Sequence, residues 1–191
     1  MNQDTTRSQS DRSWLKRYYA VRALFSFAWV ALAFTLGRSL PGFGSVLLAI
    51  YPTWDSLANF YDAKRSGGLR ANPTQTGNMA TSAAVALAVG LFAPTDPHAA
   101  IGVIGGWATL SGLLQLATAV RRWRGASAQW PMILSGAQST LAGGAFVKLA
   151  GNATAHPGAV DVAPYAAFGA FYFLVSTISL IVSDLRHSNP A

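Results

Sequence analysis

The sequence predicts an all-α polytopic membrane protein: six transmembrane helices arranged as three hairpin repeats, with both termini cytoplasmic (N-in/C-in). Three observations carry that expectation. First, the 191-residue chain is 51% hydrophobic and only 11% charged, and its apolar residues gather into six runs of bilayer-spanning length, about 17 to 25 residues each. Second, Lys and Arg fall almost wholly into alternate connections. The N-terminal segment carries Arg7, Arg12, Lys16 and Arg17, the second connection Lys64, Arg65 and Arg70, the fourth Arg121, Arg122 and Arg124, and the C-terminus Arg186, whereas the odd connections hold only Arg38. Cations near helix ends resist translocation, so the basic connections belong on the cytoplasmic side. Third, Gly, Ala, Ser and Thr fill the runs in place of bulkier aliphatics. That lowers mean hydropathy without adding charge, and it lets helices approach closely in lipid. A soluble bundle would need polar helix faces, which the segment 83–93 lacks.

The elements follow in order. Residues 1–13 are polar and without apolar period, and are expected to form a disordered cytoplasmic tail ahead of a six-helix domain over 14–187 and a short C-terminal tail over 188–191. The first span, Tyr18 to Leu36, contains Arg22 and continues past the small residues Ala31 and Ala33, so it reads as a span and not as a cleaved signal peptide. A short outer turn from Gly37 to Gly42 leads to the second span, Phe43 to Tyr61. That span contains Pro52, Asp55 and Asn59, and a charge near a helix centre costs about 3 kcal/mol on insertion scales. Removing it from the topology would place Lys64, Arg65 and Arg70 outside and break the charge alternation. The third span (Thr76 to Phe92) and the fourth (Ala99 to Val120) are joined by Pro94-Thr95-Asp96-Pro97, a helix-stopping turn. The fifth (Trp130 to Ala150) and sixth (Val162 to Val182) are joined by a longer connection containing Pro157-Gly158. The run from Thr53 to Asn59 aligns faintly with that from Thr109 to Gln115, as parallel repeats about a membrane-normal axis would.

Ionisable residues inside spans are functional candidates by default. Counting helix rise from the inner ends puts Arg22 about 8 Å deep and Asp55 about 13 Å deep, within reach of an ion pair. Such a pair has two readings, a structural lock on helix register or part of a substrate or proton path. Asn59, Gln115 and Gln138 fall at about 8 to 12 Å and could join one interior polar cluster, as interhelical glue or as a pathway. Gly102 and Gly106 form a GxxxG. Ser135, Ser139 and Gly143, with Gly136, Thr140 and Gly144 beside them, make small-residue stripes suited to close packing within the monomer or across a homo-oligomer. Trp14, Tyr18, Tyr19, Tyr61, Trp123 and Trp130 collect at the inner boundary as an interfacial belt.

The chain has no cysteine and no glutamate, which excludes disulfides, thiolate metal sites and cysteine nucleophiles. Its histidines, His98, His156 and His187, lie outside the spans, without metal-ligand spacing. Neither GxSxG nor a phosphate-binding loop occurs, so the expectation is a non-enzyme without cofactor or metal. The net charge of +7 is clustered at inner helix ends and does not form a stripe, so it points to the lipid bilayer and not to nucleic acid. No small-molecule ligand is implied.

The stretches from Tyr51-Pro52-Thr53-Trp54-Asp55 to Arg65, from Leu110-Ser111-Gly112 to Arg122, and from Trp130-Pro131-Met132 to Gly144 resemble the short membrane repeats of the bacterial HdeD-like family. The resemblance covers about Tyr18 to Arg186. It implies a six-helix protein of the bacterial inner membrane with a role in acid or envelope stress resistance. It carries over no catalytic or ligand-binding residue, and the chain departs from the pattern where Ala23 follows Arg22. A small-solute or proton transporter using Arg22 and Asp55 is the rival expectation.

Overall fold

Each of the six apolar runs folds as an α-helix. The computed structural model describes the backbone of residues 2–121 and 130–188, and the side-chain surroundings of residues 13–40, 42–117, 119–120 and 133–185. Among the described residues the order is α1 (Asn2–Leu32), α2 (Pro41–Arg65), α3 (Pro73–Phe92), α4 (Pro97–Arg121), α5 (Trp130–Ala150) and α6 (Ala159–Ser188), with no strand. Arg122, Trp123 and Arg124 of the fourth connection lie outside the described residues, as do the side chains of Arg7, Arg12, Arg121, Trp130 and Arg186.

Three helical stretches are long and apolar enough to cross a membrane: Ser13–Gly37, Pro97–Ala117 and Ala159–Leu185. The other three helices, α2, α3 and α5, are 25, 20 and 21 residues long. At about 1.5 Å per residue each reaches about 30 Å or more. They are less apolar because α2 carries Asp55 and α3 opens with Thr74-Gln75-Thr76, while Gly, Ser and Thr replace aliphatics in α5.

Two sequence expectations change at helix ends. The polar stretch expected as an irregular tail is helical from Asn2 onward. It contains no Pro or Gly, and adding residues to an existing helix costs far less than starting one. The turn expected over Gly37 to Gly42 contracts to Leu40 alone: a π-helical segment, Ala33–Gly37, continues α1, residues 38–39 stay helical, and α2 begins at Pro41. Proline lacks an N–H and therefore leaves nothing unbonded at a first helical position. Gly44 makes the tight return possible, since a Cβ there would stand 3.0 Å from the Gly37 carbonyl oxygen.

The helices fall into two compact units, Met1–Leu32 with Ala163–Ala191, and Ala33–Val162. In the first, Lys16 Nζ meets Asp184 Oδ2 at 2.6 Å, and the ring of Tyr19 stacks on Phe173 at 6.1 Å. In the second, the closest pairings are α2 with α3 and α4 with α5, and α3 meets α4 more lightly. The core of this unit includes Leu47, Leu48, Val89, Ile101, Ile104, Trp107, Ala108 and Phe146. Other apolar residues point outward, with Leu91 and Leu141 both 76% exposed.

The connections are well tied. After α2, Gly67 and Gly68 adopt φ of +103° and +95°, a left-handed conformation that glycine takes without strain. Asn72 then gathers the loop: its Nδ2 lies 2.9 Å from the carbonyl oxygens of Ser66 and Gly68 and 3.3 Å from that of Ala63. The Ser66 and Gly68 carbonyls lie just past the end of α2, and the Ala63 carbonyl also accepts the Gly68 N–H at 2.8 Å. Asn72→Ala is expected to lower stability by about 2 kcal/mol, read as a shift in the denaturant midpoint of the purified protein. An unchanged midpoint would mean that solvent replaces the amide at no cost. Between α3 and α4 the expected Pro94–Pro97 turn forms, and Asp96 Oδ1 accepts the Ala99 N–H at 2.9 Å as an N-cap. Before α6, Asp161 Oδ2 accepts the Gly158 N–H at 2.8 Å. Asn152 Oδ1 accepts both the N–H and the hydroxyl of Thr154, at 3.1 and 2.8 Å.

Candidate functional site

The polar side chains of the helical region concentrate on two seams, which use different chemistry. The seam between α2 and α3 is hydrogen-bonded along its length. Ser45 Oγ donates to the Ala93 carbonyl (2.9 Å), Ser56 Oγ to the Met79 carbonyl (2.8 Å), Ser82 Oγ to Asp55 Oδ2 (2.8 Å) and Gln75 Nε2 to Asp62 Oδ2 (3.4 Å). Position along each helix explains the pairing. In a hairpin that turns at Gly68-Leu69, Asp55 and Ser82 each lie thirteen residues from the turn. At one helix rise per residue they are therefore level.

Asp55 is the centre of this seam. Its Oδ2 accepts from Ser82, which is 1% exposed, and from Asn59 Nδ2 at 3.1 Å, whose residue is 9% exposed. Asn59 Nδ2 also lies 2.8 Å from the Asp55 carbonyl oxygen one turn back. A carboxylate accepting two side-chain donors is far less costly in a low-dielectric interior than a bare one. The two expected members, Asp55 and Asn59, are thus together, and Ser82 is the member that sequence reading missed.

The expected single polar cluster is not what forms around them. Gln115 accepts from Ser135 Oγ at 3.5 Å, between α4 and α5. Gln138 is half-buried on α5. Among the described residues neither glutamine hydrogen-bonds to the Asp55 group. Helix facing is the reason, because Gln115 turns toward α5 and not toward α2.

The second seam, α4 against α5, is made of backbone contact. Gly105 and Gly143 face each other, as do Gly112 and Gly136. A Cβ on Gly105 would stand 2.9 Å from the Gly143 carbonyl oxygen, and one on Gly143 would stand 2.6 Å from that of Gly105. For Gly112 against the Gly136 oxygen the separation is 2.5 Å, and for the reverse 3.0 Å. Thr109 lies over Gly143 and Thr140 over Gly112, each threonine hydroxyl bonding its own helix at the Gly105 or Gly136 carbonyl (2.8 and 2.9 Å). The two helices carry the same octet, Gly105-x3-Thr109-Leu110-x-Gly112 and Gly136-x3-Thr140-Leu141-x-Gly143. Packed antiparallel, the octet is complementary to itself. At the end of the seam near the Pro94–Pro97 turn, His98 Nδ1 donates to the Ala150 carbonyl, 3.1 Å away.

Within the chain, this seam uses part of the expected small-residue set. Gly102 makes ordinary contact with Ala150, at 3.5 Å from a notional Cβ, while Gly106 and Gly144 face open space. Of the expected packing positions, Gly136, Thr140 and Gly143 lie on the seam, Ser135 joins it through Gln115, and Ser139 is half-buried. Gly105 and Gly112 were missed. A spacing of seven, two full turns, returns to one face as surely as a spacing of four, and the repeated octet was the available signal.

Arg22 belongs to the first unit and Asp55 to the second, and each is described within its own. The Arg22 guanidinium stands 4.3 Å from the Phe173 ring centroid of α6, a cation–π geometry. Its Nη1 donates to the Tyr18 hydroxyl at 2.8 Å. Trp14 stacks on Tyr18 at 6.1 Å, so part of the expected aromatic belt is a contiguous cluster. Among the described residues no three His or Asp side chains gather where a metal ion could be held. No protein-family model, curated protein or solved structure matches the chain.

Proposed function

We propose that this chain is a non-catalytic, six-span protein of the bacterial inner membrane, with both termini cytoplasmic and a role in acid or envelope stress, as its resemblance to the HdeD-like family implies. One observation carries the non-catalytic reading: several of the polar groups within the helices are engaged with one another. Asp55 is held by Asn59 and Ser82, Gln115 by Ser135, and α4 and α5 meet at backbone distance. Such a seam stabilises helix association in lipid, where no hydrophobic drive between helices operates. The six-span reading is supported by the lengths of α2, α3 and α5 and by their outward apolar residues. Leu91 and Leu141 gain a suitable environment only from lipid or a partner.

The absence of native cysteine gives topology a clean test. With single cysteines at Ser66 and Ala153, a membrane-impermeant maleimide is expected to label Ala153→Cys on intact cells, and Ser66→Cys only after permeabilisation. Labelling of Ser66→Cys from outside would overturn the orientation. For function, deleting the gene is expected to reduce survival after a low-pH challenge; unchanged survival would remove the stress role. Proteoliposomes of the purified protein are expected to pass protons and common solutes no faster than empty vesicles. Flux abolished by Asp55→Ala would favour the transporter using Arg22 and Asp55 instead.

A further inference from the structure

The connection from α2 to α3 is a shaped basic surface. Lys64 and Arg65 close the last turn of α2, and Arg70 sits in the 3-10 turn Leu69–Ala71 that follows. All three are exposed. Among the described residues Lys64 and Arg70 form no ion pair or hydrogen bond. Asp62, three residues before Arg65, is half-buried and engaged by Gln75 Nε2 at 3.4 Å. Tyr61, one turn before Arg65, is also exposed, as an aromatic residue at headgroup level would be.

The loop is also tied by its own hydrogen bonds. Asn72 ties the Ala63, Ser66 and Gly68 carbonyls, Thr76 Oγ1 donates to the Leu69 carbonyl at 2.8 Å, and the Gly68 N–H closes on the Ala63 carbonyl at 2.8 Å. A surface already ordered loses less entropy when it binds than a flexible basic tail does. Three cations with an aromatic anchor on a fixed turn suit a phosphate-bearing headgroup, which offers several charge-dense acceptor oxygens at one depth.

We propose that this α2–α3 loop, through Lys64, Arg65 and Arg70, binds the headgroup of an anionic phospholipid of the adjoining leaflet. The proposal rests on the reading that α2 and α3 both span the bilayer, which sets the loop at headgroup level. Each cation near such a surface contributes about a fivefold preference.

The test uses the full chain in a nonionic detergent, titrated separately with short-chain phosphatidylglycerol, short-chain phosphatidylcholine and inorganic phosphate, with retained lipid read by native mass spectrometry. Phosphatidylglycerol is expected to bind at least tenfold tighter than phosphatidylcholine. The double variant Lys64→Gln/Arg70→Gln is expected to lose at least tenfold, the charge-conserving Lys64→Arg/Arg70→Lys to retain binding, and the exposed Arg38→Gln to be without effect. Equal retention of both lipids would overturn the proposal, as would unchanged binding by the Gln variant or competition by inorganic phosphate as effective as that by the lipid. If the Gln variant does not fold, loss of binding in the charge-conserving variant overturns it too. Lipid retention in detergent does not depend on sidedness, so a failed topology and a failed lipid site give separate results.

Discussion

Replacing Gly143 with valine is expected to force α4 from α5 and to destabilise the purified protein by about 3 kcal/mol. The side chain would be driven into the Thr109 backbone and the Gly105 carbonyl, the latter 2.6 Å from a Cβ at this position. Backbone cannot swing aside as the end of a flexible side chain can. Nor is there a compensating packing gain, because the close contact of the two backbones leaves no space for a side chain to fill. The neighbouring Gly144→Val provides the control. Its Cβ meets nothing within 4 Å, and a substitution in open space is expected to change stability by no more than about 0.5 kcal/mol. The check is the unfolding midpoint of both variants in the same detergent. Equal effects would mean that the α4–α5 contact does not contribute to stability.

Asp55→Ala is expected to cost about 2 to 3 kcal/mol by leaving the buried Ser82 hydroxyl without its acceptor and removing one of the two acceptors of Asn59. Asp55→Asn keeps an oxygen that can accept from Ser82, so its cost is expected to be about 1 kcal/mol. The discriminating measurement is a double-mutant cycle. Removing both partners leaves no orphan on the α3 side, so Asp55→Ala/Ser82→Ala is expected to be markedly more stable than the sum of the single losses implies. Strict additivity would mean that the 2.8 Å contact carries no net energy.

These two seams differ in how far they could be read beforehand. Asp55 stands out in any reading, because a charge within an apolar run is costly and conspicuous. Its partner Asn59 follows one turn later on the same helix. Ser82 does not stand out, since a serine in an apolar helical run costs little and has many uses. It becomes a partner only once the turn at Gly68-Leu69 sets which residues of α2 and α3 are level. The depth count placed Gln115 and Gln138 near Asn59. Depth is one coordinate, and the angle around each helix is the other. Gln115 meets Ser135 because of that second coordinate.

The turns show the same division. Pro94-Thr95-Asp96-Pro97 announced itself because its two prolines stop a helix. Leu40 did not, because the π-helical segment Ala33–Gly37 carries helical backbone almost up to Pro41. Asn72 likewise read as one polar loop residue among several. Its three carbonyl contacts depend on a path that Gly67 and Gly68 create with positive φ.

The sequence by itself determined the number and placement of the helices and the alternation of basic connections. Both are written in local terms: the length of an apolar run, a proline or glycine at its end, a lysine or arginine beside it. Tertiary structure alone decided which face of each helix meets a neighbour. Gly105 packs and Gly106 does not, although they are adjacent, because successive residues on a helix point about 100° apart. In a water-soluble bundle the polar face would have marked the outside and so revealed the inside. Here the exposed faces of α4 and α5 are apolar too, with Leu110, Leu113 and Leu141 on them, so that contrast is lacking, and only the fit of Gly105, Thr109 and Gly112 against Gly136, Thr140 and Gly143 selects the seam.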